Sequence, residues 1–170
     1  MKLILDGCDL TGKTTLIKKI VNYYNDDRLS YLHFSYKDRT DYEFYNTMLD
    51  KENFISDRHF IDEVIYPIIF DREFGITHEE FQLLMNKCKA ENIKIIILTV
   101  DNQTLLERLN VRGENEEAVR NRLLDINNMF IDLANEYDLK LVNTEVDSFE
   151  EIISYIEGGT NEEHKSYMLK

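Results

Sequence analysis

Apolar residues change their spacing repeatedly along the chain, and the changes predict an alternation of strands and helices. The run at residues 2–6, "KLILD", reads as a short buried strand. From Lys13 to about Tyr24, Leu16, Ile17, Ile20 and Val21 recur with the period of one helix face. A second strand is expected in "LSYLHFS", and Asp41 can cap a helix carrying Phe44, Tyr45, Met48 and Leu49 before a third strand in "NFISD". Thr77 and Glu80 form a capping-box pair ahead of Phe81, Leu84, Met85 and Cys88. "IKIIILTV" is almost continuously apolar and β-branched, which suits a central parallel strand covered on both faces. Asp101 then caps a short helix, and "VRGENEEAVRNRL" opens a charged one whose Val119, Leu123, Ile126, Phe130 and Leu133 keep the helical spacing. "LKLVN" is a last strand. Ser148 and Glu151 cap a final helix that turns Phe149, Ile152, Ile153 and Ile156 inward.

This alternation predicts an α/β fold with about five parallel strands and helices on both faces. Ligands of such sheets gather beyond the carboxyl ends of the strands, where Gly7 to Thr15, Asp57, Val100 and Asn143 would lie. The pattern does not fix strand order. At 170 residues the chain can bury one sizeable core, so one domain is expected over residues 1–157, followed by a polar tail at 158–170. A single proline and 43% hydrophobic residues fit a globular chain without a proline-rich linker.

The formal charge of −13 opposes binding to a long polyanion, whereas a small phosphorylated ligand needs a few well-placed cations. Cys8 and Cys88 are too few for a disulfide scaffold, and neither has metal-site spacing. "MKLILDG" reads as an opening strand rather than a signal peptide, and no apolar stretch is long enough to span a bilayer. A cytoplasmic location and no membrane partner are therefore expected.

The chemistry concentrates at "GCDLTGKTT", which matches G-x-x-x-x-G-K-[ST] between a strand and a helix. Gly7 and Gly12 permit close backbone approach to phosphate, Cys8, Asp9, Leu10 and Thr11 supply loop amides, Lys13 can reach β- and γ-phosphates, and the Thr14 hydroxyl can coordinate Mg²⁺. Thr15 supports the loop or the α-phosphate. A glycine turn before an ordinary capped helix is the bland alternative, but it gives Lys13 no reason to point into the turn. Asp9 would be repelled by phosphate unless a metal, an arginine or a sugar hydroxyl offsets it, so a place near the acceptor competes with a role in loop shape. Cys8 reads as a small buried side chain.

Asp57 and Arg58 fall at a predicted strand end. Asp57 can hold Mg²⁺ through a water, orient Arg58 or receive an acceptor proton; Arg58 can grip a phosphate with its planar fork; a structural ion pair is the alternative for both. "GCDLTGKTT", "DRHFIDEVIYPIIFDR" and "ERLNVRGENEE" together resemble the thymidylate kinase and deoxynucleoside kinase branch of the P-loop kinases, over most of the chain. The nearest likeness is to compact, often virus-encoded thymidylate kinase-like proteins, although "EVIYP" lacks the glycine of their "VYGP" and "HFSYKDR" lacks the proline of their "FP-x-R".

The resemblance implies a three-layer P-loop NTPase fold, ATP and Mg²⁺ as donor and cofactor, a nucleotide or nucleoside acceptor, host cytoplasm if the chain is virus-encoded, and a homodimer. It puts Asp9 near the acceptor sugar and Mg²⁺, Arg58 on the acceptor phosphate if the substrate is a monophosphate, Arg39 at the substrate-binding arginine of the "FP-x-R" segment, Glu63 in the sugar or base pocket, and Asn143 and Thr144 in a loop against adenine. Arg108 and Arg112 fall in an arginine-bearing lid at about 108–118, with exposed ion pairs to Glu107, Glu114, Glu116 or Glu117 as the alternative. His59 can stack on a base or pack internally, and Tyr66 belongs either to a base pocket or to the core. The expected activity is ATP-dependent phosphorylation of a deoxynucleoside monophosphate, dTMP among them. Its alternatives are a deoxynucleoside kinase, a kinase of a modified-base hydroxyl in DNA, and a nucleotide-dependent switch or binding protein.

Overall fold

The computed structural model describes residues 1–34, 41–114 and 116–158. Five strands, β1 (Lys2–Gly7), β2 (Ser30–His33), β3 (Phe54–Asp57), β4 (Lys94–Thr99) and β5 (Lys140–Asn143), pair in the order β2-β3-β1-β4-β5. Every pairing is parallel. Seven helices join them among the described residues: α1 (Lys13–Tyr24), α2 (Tyr42–Leu49), α3 (Asp62–Phe70), α4 (His78–Ala90), α5 (Asn102–Val111), α6 (Glu117–Glu136) and α7 (Phe149–Ile156). None of them is long and apolar enough to cross a membrane.

The two-residue period of the strands sorts the core. Leu3, Leu5, Ile96 and Leu98 face α1 and α7 on one side, while Ile4, Ile95 and Ile97 join the larger cluster containing Tyr45, Phe81, Phe130 and Leu105 on the other. Side chains buried on both faces explain why β4 is apolar from Ile95 to Leu98. The expected caps form: Asp41 accepts from the Phe44 amide at 3.0 Å, Asp101 from Thr104 at 2.9 Å, and Thr77–Glu80 and Ser148–Glu151 close reciprocal capping boxes.

Two boundaries differ from the expectation. α5 continues through Val111 and stops at Gly113, whose φ of 80° favours glycine, so the charged helix starts at Glu117 rather than within "VRG". β2 ends at His33, shorter than the apolar stretch. Arg39, Asn115 of the lid and residues 159–170 of the tail lie outside the described residues.

The chain leaves central β1 for β2 and β3 on one side and later adds β4 and β5 on the other. Such a reversal opens a crevice beyond the carboxyl end of β1, where the glycine-rich loop begins.

Candidate active site

Gly7 closes β1 at φ 136°, and a Cβ built there would meet the Leu98 carbonyl oxygen at 2.3 Å, so only glycine fits between β1 and β4. Gly12 caps α1 at φ 92°, and no side chain among the described residues caps this helix, leaving its first amides to a ligand. The loop between the glycines is held from both sides. Thr11 donates its hydroxyl to the Cys8 carbonyl at 2.8 Å, while Thr144 and Arg108 donate to the carbonyls of Thr11 and Leu10 at 2.8 and 2.6 Å. Lys13 is buried, and its ammonium donates to the Gly7 and Cys8 carbonyls at 2.7 Å each, curling over the turn rather than into solvent. Burial pushes the Cys8 thiol up to about 12, keeping it protonated and unreactive.

The residues expected on the acceptor side come from the turn after β3. Parallel register places His33, Asp57 and Leu5 side by side at the strand ends. Asp57 is buried; its Oδ2 lies 3.3 Å from the Tyr31 hydroxyl and 3.4 Å from His33 Nδ1, while its Oδ1 has no hydrogen-bond partner among the described residues. Arg58 adopts φ 69°, a left-handed conformation uncommon for a side-chain-bearing residue. Its amide donates to the Leu5 carbonyl at 2.9 Å, and its own carbonyl accepts from the Ser56 hydroxyl. The guanidinium donates to Asp62 at 2.9 Å and to Asp9 at 2.5 Å, with its Cζ 5.2 Å from the centre of the Tyr66 ring. Burial opposes this positive charge, but Asp62 and its neighbours more than offset the loss of water and hold Arg58 charged.

Two adjoining cavities run along the loop. One, of about 380 Å³, is walled by Leu16, Phe149 and Ile152 with Arg108, Thr144 and Glu145. The other, of about 260 Å³, collects Asp9, Lys13, Thr14, His33, Asp57, Arg58 and Arg112. They share Leu10, Gly12 and Thr15, so a ligand with a ring at one end and phosphates at the other can span both.

The other residues singled out from sequence lie elsewhere. Asn143 shapes the turn after β5, its amide donating to Asp147 at 2.7 Å and its side chain accepting from the Glu145 amide at 3.0 Å. His59 is fully buried among Phe34, Tyr45, Phe54 and Phe60, so its ring is core and does not line the cleft. Burial lowers its pKa to about 3. Glu63 accepts from the Tyr45 hydroxyl at 2.8 Å, away from both cavities, and Tyr66 lies beneath Arg58. His33, Tyr31 and Asp6 escaped sequence reasoning. Their shared signal is the β2-β3-β1 register, which requires the strand order.

Thr14 and Asp57 line the same cavity, and the unpartnered Asp57 oxygen suits a cation. No cluster of three or more His, Cys, Asp or Glu among the described residues forms a dedicated metal cage. That donor set fits Mg²⁺, which keeps waters and takes phosphate oxygens alongside one or two protein groups.

Neither a protein-family model nor a curated protein matches the sequence. Solved structures do match. The YorR protein of Bacillus subtilis, determined in complex with phosphorylated GDP, is similar over 92% of this chain and 93% of its own, with TM-score 0.76 and 22% identity. The fold is the P-loop NTPase fold. A deoxyadenosine kinase from M. mycoides with dCMP and dCDP bound aligns over 94% of this chain and all of its own, with TM-score 0.58 and 17% identity. Polyphosphate kinase 2 from Arthrobacter aurescens TC1 aligns over 88% of this chain and 63% of its own, with TM-score 0.54 and 14% identity.

Proposed function

We propose that the protein transfers the γ-phosphoryl group of MgATP to a deoxynucleoside monophosphate, giving the diphosphate. The observation that carries this reading is Arg58, a cation that enters the phosphate cavity from the turn after β3 rather than from the glycine-rich loop. Lys13 and the α1 amides suffice for a donor triphosphate. A further arginine fork matches a second phosphate, because its paired N–H groups can clamp two oxygens of a monoester. Asp9 is exposed and Asp62 is not, so an incoming acceptor phosphate can replace Asp9 on Arg58 while Asp62 stays. The displaced Asp9 carboxylate is then free to accept from a sugar hydroxyl.

The donor's base would occupy the cavity beside Phe149 and Arg108, and Arg112 would help neutralise the transferring group. Thr14 and Asp57 would hold Mg²⁺, which when bound neutralises charge on the β- and γ-phosphates. The attacking oxygen of a monophosphate is already anionic, so positioning and charge compensation do most of the work.

A deoxynucleoside kinase is the second reading, favoured by the His33–Asp57 pair at the cavity wall, which could take a proton from a hydroxyl acceptor. The deoxyadenosine kinase neighbour supports the same alternative. The test is an acceptor screen with MgATP across deoxynucleosides, their 5′-monophosphates and a hydroxyl-bearing oligonucleotide. Diphosphate formation from a monophosphate is expected. Efficient use of the unphosphorylated compounds alone would establish the second reading, transfer to the oligonucleotide alone would point to a modified base in DNA, and slow hydrolysis with no acceptor would point to a nucleotide-dependent switch.

A further inference from the structure

Beneath the cleft, Asp6 at the end of β1 and Asp62 at the start of α3 bring two carboxylates together under Arg58. Asp6 is fully buried, and its two oxygens accept the amides of Gly7 at 2.8 Å and His59 at 3.2 Å. One carboxylate thus ties the start of the glycine-rich loop to the turn that carries Arg58. Asp62 Oδ2 receives Arg58 Nη1 at 2.9 Å, whereas Asp62 Oδ1 is buried with no donor among the described residues.

We infer that Asp62, backed by Asp6, is the positioning residue that presets the Arg58 fork for the phosphate of the acceptor, a role that rests on the monophosphate reading above. The left-handed Arg58 backbone is pinned by Leu5 and Ser56, so the side chain leaves the turn in one direction, and Asp62 fixes where its guanidinium stops. Two adjacent carboxylates largely withdrawn from water do not both ionise readily, and desolvation raises the pKa of each. A proton shared by the pair would leave it a single negative charge to set against Arg58, beside that of Asp9. Ligand exchange at exposed Asp9 leaves this anchor in place.

Replacing Asp62 separates positioning from general structure. In Asp62→Ala the acceptor KM is expected to rise about 10- to 100-fold, with kcat and the MgATP KM changed by less than about 3-fold. Asp62→Asn should restore the acceptor KM to within about 3-fold of wild type, since its amide can donate to Asp6 while its carbonyl accepts from Arg58. In an Arg58→Ala background, Asp62→Ala should add no further rise, because its effect passes through the guanidinium. An unchanged acceptor KM in Asp62→Ala, or the full effect persisting without Arg58, overturns the inference. If Asp62→Ala does not fold, Asp62→Glu keeps the charge but displaces the fork, and an unaltered acceptor KM there is equally fatal.

A readout without acceptor separates this inference from the function. The slowly exchanging ¹⁵N–¹H guanidinium signal absent from Arg58→Ala should persist in Asp62→Asn and vanish in Asp62→Ala, or weaken in Asp62→Glu. If wild type phosphorylates no monophosphate, the proposed function falls, and this signal alone decides whether Asp62 holds Arg58; a signal indifferent to residue 62 refutes it.

Discussion

The two halves of the cleft hold their shape by different means. From Gly7 to Thr15 the work is done by main-chain groups: a glycine where no Cβ fits, uncapped amides at the start of α1, and carbonyls gripped by Lys13, Arg108 and Thr144. From Asp57 to Asp62 it is done by buried charge, with Arg58 set among Asp9, Asp62 and Asp6 on a left-handed backbone. A backbone cradle is insensitive to many side-chain changes but intolerant of added bulk or of losing the Lys13 ammonium at its centre. A charge cluster tolerates modest changes of shape but not the removal of one partner, which leaves the others buried without compensation.

The sharpest way to break the half proposed to hold the donor is Lys13→Ala. The ammonium is the only lysine nitrogen in the phosphate cavity among the described residues, and removing such a donor from a transition-state charge site typically lowers kcat about 10²- to 10³-fold, or about 2.7–4 kcal/mol. Acceptor-dependent ADP formation, measured after circular dichroism confirms the fold, checks this. Turnover within a few-fold of wild type would mean the loop amides act without Lys13.

Two alanine substitutions sharpen the backbone argument because the glycines differ in their surroundings. Gly7→Ala drives a methyl into the Leu98 carbonyl at a positive φ, and thermal or denaturant unfolding should report a loss of about 2–4 kcal/mol. At Gly12 the nearest atom to an added Cβ is the Thr144 hydroxyl oxygen at 3.5 Å, an ordinary contact, so only the backbone strain remains and about 1 kcal/mol should be lost. Equal losses at the two sites would show that packing against β4 does not distinguish them.

This contrast also explains what could be read without coordinates. The phosphate loop is contiguous, so its glycines, Lys13 and Thr14 are visible in one stretch of sequence, as are the capping residues and the apolar run of β4. The half proposed to hold the acceptor is assembled across strands. Tyr31 and His33 reach Asp57 only because β2 pairs with β3, and Asp6 meets the Arg58 turn only because β3 pairs with β1; helical and strand periodicity carries no information on either neighbour. The same limit applies to His59. Its position after Asp-Arg leaves a base contact and internal packing both open, and the choice falls to packing because the sheet and α2 fold an aromatic cluster around it.

Breaking the charge half at Arg58 should hurt acceptor binding selectively. Arg58→Ala is expected to lower kcat/KM for the acceptor by about 10- to 100-fold, the loss of a charge-assisted contact of about 1.5–3 kcal/mol, with a small change in the MgATP KM. Arg58→Lys should recover part of that, keeping attraction without the fork. Steady-state kinetics with each substrate varied in turn provide the check; a defect confined to MgATP would move Arg58 to the donor half.

The smallest effect concerns His59, whose amide belongs to the Asp6 anchor while its ring belongs to the core. Burial holds its folded pKa at about 3, against about 6.5 in an unfolded chain. Above the unfolded value the imidazole is neutral in both states and the full stability is present. As pH falls below it the unfolded chain takes up a proton that the folded protein refuses, so stability declines with falling pH until about 3, where the folded ring also protonates. Between pH 7.5 and 5.5 the decline due to this one residue should be about 1 kcal/mol. His59→Phe keeps the ring among Phe34, Tyr45, Phe54 and Phe60 and removes the titration, so its unfolding free energy should fall less than that of wild type over the same interval, by about that amount. The buried carboxylates Asp6 and Asp62 titrate with the opposite sign, since each binds its proton more tightly when folded, but they are common to both proteins and cancel in the difference. Parallel pH profiles for wild type and His59→Phe would mean that water reaches the ring, and the acceptor half would then be more open, and closer to the donor half in character, than its packing implies.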